Sequence, residues 1–160
     1  MILYLQTKVS TLQKGSDYMS VNCELGRLKM KEWTTNQREK EALEKYTEAK
    51  ERANDAYATV QATWKKRCEA KDNVAHALEV MQNVVSGKDN SLTAQDAIMT
   101  FRRAQVMLGR AKNAHEAAQG ELRSKEFERD RLKKELEVAE AEHASAKKEL
   151  DECLAKAQGQ

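Results

Sequence analysis

The chain has 160 residues, no proline, 34% charged residues and a formal net charge of +2. So near-neutral a balance gives no bulk argument for nucleic acid as a partner, and no run of 18 apolar residues is present to span a membrane. Abundant Ala, Glu and Lys without proline point to long helices packed along thin apolar strips. One elongated all-α domain over residues 1–160 is the natural reading. The opening MILYLQTKVS lacks a basic flank and a cleavage site, so a secretory signal is not expected. Cys23, Cys68 and Cys153 are widely spaced, odd in number and without CxxC pairing. They read as plain thiols in a reducing, cytoplasmic compartment.

Residues 1–33 carry two short apolar patterns, Ile2, Leu5, Val9 and Leu12, then Tyr18, Val21, Leu25 and Leu28. The phase breaks between them, with Gly15 inside the break, so a helical segment with a kink or a loose turn near Gly15 is expected. Gly26 weakens the second piece by about 1 kcal/mol relative to Ala. The polar cluster Thr34, Thr35, Asn36 and Gln37 follows, and Asn36 with Glu39 fits a capping pair. Two outcomes stay open there: a new helix over 36–86, or one continuous helix locally weakened.

From Leu43 to Val85 a 3.5-residue seam runs through Leu43, Tyr46, Lys50, Ala53, Tyr57, Val60, Trp64, Arg67, Lys71, Val74, Leu78, Met81 and Val85. A second stripe flanks it at strict seven-residue spacing: Ala42, Ala49, Ala56, Thr63, Ala70, Ala77 and Val84. An apolar face this wide needs two neighbours. Ala42, Ala49, Ala56, Ala70 and Ala77 are therefore expected to meet either residues 1–33 or a second copy of the chain, in a three-helix or dimeric bundle.

SGKDNS, residues 86–91, is the clear turn, with Gly87 suited to the left-handed residue that ends a helix. The turn proper is read as 87–91 and the next helix as 92–158, with Asn90, Ser91 and Thr93 as candidate caps and Thr93–Asp96 matching a capping box. So short a loop makes the two helices antiparallel. Pairs whose numbers sum to roughly 178 then face each other. Trp64 falls near Ala111 and Ala118, and Tyr57 near Ala118 and Leu122, rings against methyls. At 1.5 Å per residue the arm would extend on the order of 65 to 100 Å.

The second helix carries the longest seam. It runs Phe101, Ala104, Leu108, Ala111, His115, Ala118, Leu122, Lys125, Arg129, Leu132, Leu136, Ala139, His143, Ala146, Leu150, Cys153 and Ala157. Thirteen of these 17 positions are apolar, against 10 of the other 40 residues in the span, which marks a coiled-coil seam rather than a surface helix.

Nothing in this pattern points to catalysis. No Gly-rich phosphate loop, GxSxG, HExxH or EF-hand sequence occurs, and the carboxylates alternate with Lys and Arg as on a solvated helix face. No catalytic residue, metal ligand or cofactor is expected. His115 and His143 sit on the seam, where a lone histidine reads as a polar break that helps fix register, with a metal or pH role as the alternative.

Charge is more informative. Between Gln61 and Lys112, nine basic residues (Lys65, Lys66, Arg67, Lys71, Lys88, Arg102, Arg103, Arg110 and Lys112) stand against five acidic ones, giving +4 and leaving −2 elsewhere. The register places Lys65, Lys66 and Arg67 across from Arg110 and Lys112. Contact with an anionic surface is one reading, and an ordinary solvated face is the other. Few aromatics lie among these cations, which argues against single-stranded nucleic acid.

The stretch Tyr57–Lys71, YATVQATWKKRCEAK, resembles the second long helix of sorting-nexin BAR domains through Gln61, Ala62, Thr63, Lys65, Lys66 and Arg67. Phe127, Glu128, Arg129 and Arg131 are similar to a segment early in that family's last helix, and the layout of long helix, short tip loop and long helix resembles the F-BAR branch. The resemblance implies a homodimer of antiparallel helices, peripheral to membranes, whose tip cations bind acidic phospholipid and whose surface senses or shapes the bilayer. Lys65, Lys66, Arg67 and Lys71 carry over at the motif. The other five cations are assigned from charge alone. Two other functions fit the same pattern: a hairpin stalk or chaperone of a type III secretion or flagellar export apparatus, and a cytoskeletal coiled-coil spacer. Each would bind other helical proteins.

Overall fold

A computed structural model describes the backbone of residues 2–158 and the side chains of residues 24–158. Two helices account for nearly all of it: α1, Ile2–Val85, and α2, Ala94–Gln158. They pair antiparallel as a hairpin. The chain falls into two compact units, Glu48–Asp130 and a second made of Met1–Thr47 with Arg131–Gln160.

The first unit contains the turn. Gly87 takes φ +72°, the left-handed region that costs an L-residue about 1–2 kcal/mol and glycine nothing. Its N–H donates to the Val84 carbonyl at 3.1 Å, and the Lys88 N–H to the Asn83 carbonyl at 2.9 Å. This is the paired closure of a Schellman C-cap. Asp89 Oδ1 accepts from the Ser91 N–H at 2.8 Å, a bond that also holds the Asp89 carboxyl below its ordinary value. Thr93 is the cap of α2: its Oγ1 accepts from the Asp96 N–H at 3.2 Å and donates to Asp96 Oδ2 at 2.6 Å. α1 thus ends one residue earlier and α2 starts two residues later than expected, because the Schellman closure and the Thr93 cap occupy the flanking positions.

α1 does not break at Thr34–Gln37. The hydroxyls of Thr34 and Thr35 donate back to the carbonyls of Met30 and Lys31 at 2.8 and 3.0 Å, so the polar cluster is satisfied within the helix. Asn36 does not act as a cap, and the continuous reading holds. The apolar pattern Ile2–Leu12, the residues Tyr18 and Val21, and the side-chain environment of Gly15 and Cys23 lie outside the described side chains.

The seam of α2 is as expected: of its 17 positions only Ala157 is exposed. The seam of α1 is not. Leu43, Tyr57, Trp64 and Val85 are 50%, 55%, 52% and 62% exposed, and Lys50 and Lys71 of the same column are exposed. The column facing α2 is instead the alanine stripe. It alternates with Tyr46, Ala53, Val60, Arg67, Val74 and Met81, all buried or half-buried. The expectation is corrected by one position per heptad, and the reason is steric and electrostatic. Alanines let two helix backbones approach closely, whereas the bulky column contains two lysines that must reach water.

Candidate functional site

Within the unit Glu48–Asp130, the interhelical register is visible in named pairs. His115, 3% exposed, sits between Thr63 and Gln119. Its Nδ1 lies 3.2 Å from Thr63 Oγ1 and its Nε2 lies 3.1 Å from Gln119 Nε2. The Gln119 amide donates to Nε2, Nδ1–H donates to Thr63, and Thr63 donates on to the Thr59 carbonyl at 2.9 Å. Each polar atom is satisfied, so the burial carries no unpaired group. Trp64 covers the imidazole at 5.4 Å between centroids, tilted by 52°. The ring thus reaches the α2 seam between Ala111 and Ala118, as the register required, but lies at the seam's edge rather than nested among methyls.

The stripe expected at a dimer or bundle interface is covered within the single chain. Ala49, Ala56 and Ala77 are 1%, 8% and 7% exposed, and Ala42 and Ala70 are half-buried. Thr63 of the same stripe bonds α2 directly.

The nine cations do not form one patch. Lys66, Arg103 and Arg110 line a groove of about 860 Å³ between α1 and α2. The Arg67 guanidinium stands 5.4 Å from the centre of the Trp64 ring, a cation–π arrangement. Lys65, Lys71, Lys88, Arg102 and Lys112 are exposed and outside the groove. Among the described residues none of the nine has a carboxylate within ion-pair distance. Glu69 is the carboxylate among the groove residues.

The other unit is different in kind. Lys31 bridges Glu149 at 2.7 Å, Arg38 approaches Glu142 at 3.8 Å, and Lys133–Glu137 and Lys148–Glu152 pair along α2. His143 is half-buried between two carboxylates of α1. Its Nδ1 bonds Glu39, and its Nε2 lies 3.2 Å from Glu32. Glu39 first, and Glu32 second, raise the imidazole above its ordinary value. Sequence reasoning placed His143 on the seam but missed this pairing. The available signal was that Glu32 and Glu39 are seven residues apart and in phase with the Tyr46, Ala53, Val60 column that alternates with the alanine stripe.

Among the described residues, no three His, Cys, Asp or Glu side chains converge as a metal site requires, and no helix is long and apolar enough to cross a membrane. Cys68 and Cys153 are half-buried free thiols. Fold and site together define an antiparallel helical hairpin with an unpaired cationic segment beside its turn. Comparison with protein-family models, curated proteins and solved structures gives no significant match.

Proposed function

We propose that the chain is a non-enzymatic, BAR-like coiled-coil scaffold that works as a homodimer and docks on acidic membrane surfaces through the cations of Gln61–Lys112. The observation that supports this reading is that, among the described residues, none of those nine cations has a carboxylate within ion-pair distance, Arg67 standing instead over the Trp64 ring. A cation already bridged to a carboxylate offers little to a second anion. An unbridged one keeps its attraction, about 1 kcal/mol each near charged lipid. The half-exposed Tyr57 and Trp64 favour a second copy, since they are the bulky part of a wide apolar face that α2 leaves uncovered.

Sedimentation with vesicles tests the membrane step. The parent protein should pellet with phosphatidylserine-containing vesicles at low salt and not with phosphatidylcholine alone. Reversing Lys65, Lys66 and Arg67 to Glu removes about 3 kcal/mol, a loss of roughly 100-fold or more. No pelleting by the parent, or unchanged pelleting by the variant, rejects the reading. Solution mass tests the dimer. A monomer that ignores vesicles would leave the export stalk as the better description.

A further inference from the structure

The groove that holds Lys66, Arg103 and Arg110 has a geometry of its own. Its α1 wall is built from Thr63, Lys66, Ala70, Asn73, Ala77 and Val80, in steps of three and four. Its α2 wall uses Thr100, Ala104, Met107, Ala111 and Ala114, again in steps of four and three. Two walls that both repeat every 3.5 residues form the holes into which a third helix sets its knobs. A flexible acyl chain has no need of that spacing. The floor is methyl groups and a thioether, and Met107 is 57% exposed, so apolar surface is open to a guest. Arg103 and Arg110 stand one heptad apart on one wall and Lys66 stands on the other, with Glu69 their sole carboxylate neighbour in the groove.

We propose that this groove docks an amphipathic helix of a partner protein, one whose apolar seam is flanked by Glu or Asp. From Thr63 to Val80 the wall spans about 25 Å, some five turns of guest helix. The charge complementarity selects an acidic guest. It argues against the chain's own first 23 residues, where Lys8 and Lys14 outnumber Asp17. The proposal does not rest on the membrane reading.

The test uses the full chain and two fluorescein-labelled 21-residue peptides, both with Leu and Ala at positions a and d. One carries Glu at e and g, the other Lys. Fluorescence anisotropy should show saturable binding of the acidic peptide, at least tenfold tighter than of the basic one. Met107→Glu, at an exposed position outside the α1–α2 seam, should weaken it tenfold or more with unchanged helicity. Lys66→Glu with Arg110→Glu should reverse the preference between peptides. The proposal is overturned if neither peptide binds or if both bind equally. It is also overturned if oleate saturates the groove while the peptides are indifferent, or if Met107→Glu abolishes self-association instead. Vesicle pelleting without peptide binding removes this inference and leaves the membrane reading. Peptide binding without pelleting does the reverse.

Discussion

His115 of α2 donates to Thr63 of α1 at 3.2 Å, and this bond ties the alanine stripe to the opposite helix. Replacing Thr63 by Val keeps the volume but strands the Nδ1–H of a residue that is 3% exposed. The expected loss is about 1–3 kcal/mol, measured by urea denaturation. Thr63→Val combined with His115→Leu should recover part of it, because both polar partners are then gone. A double variant that costs as much as the sum of the two singles, or more, would show that the pair is not coupled as drawn.

The corrected seam of α1 makes a contrast between small and large residues. Ala49 is 1% exposed, so Ala49→Leu should overpack the helix pair and cost about 1–3 kcal/mol. Tyr57, bulkier but 55% exposed in the single chain, should tolerate Ala at under about 1 kcal/mol when both variants are measured at a dilution that keeps the chain monomeric. The bulky column would be the true contact if the order of these two effects came out reversed in chemical denaturation.

At the turn, a Cβ on Gly87 would meet no atom within 4 Å, so space is not the constraint. The constraint is φ +72°. Gly87→Ala should therefore cost about 1–2 kcal/mol purely from backbone strain, and Gly87→Asn less, since Asn visits that region more readily. Equal stability of all three proteins in thermal melts would argue against the Schellman closure.

His143 makes the stability of its unit depend on pH. Its folded-state value is raised by Glu39 and Glu32, so its contribution is complete below the unfolded value near 6.5 and fades as pH rises through the higher folded value. Melting temperature, followed by circular dichroism, should fall between pH 6 and pH 9 more steeply in the parent than in His143→Gln. Parallel slopes would mean that the two carboxylates do not hold the proton there.

Much of this was legible because a 3.5-residue repeat leaves little freedom once the turn is located. Gly87 and the Thr93–Asp96 box marked the bend. The residue sum of 178 then put Trp64 at the α2 seam between Ala111 and Ala118, where its ring meets His115, but it left Thr63 and the alanine stripe assigned to another neighbour. The choice between two adjacent columns of α1 was not legible from hydrophobicity, since Tyr57 and Trp64 outweigh Ala56 and Thr63 on any apolar scale. Charge held the answer: Lys50 and Lys71 interrupt the bulky column, and nothing charged interrupts the alanine one. The cations were found as a set, but their division into a groove group, an Arg67–Trp64 pair and a free remainder depends on side-chain direction. Composition does not carry that information.

The hydrogen-bonded bend has a kinetic corollary. Gln82, Asn83 and Val84 receive bonds from residues three to six positions downstream, so this closure forms with almost no chain to gather in. Contacts further along join ever more distant partners, 52 residues apart at Thr63–His115 and 76 at Arg52–Glu128. Each becomes inexpensive in chain entropy only after the nearer ones exist. Assembly should start at the bend and zip away from it, so lesions at Gly87 or Thr93 slow folding, while lesions at Arg52 chiefly hasten unfolding.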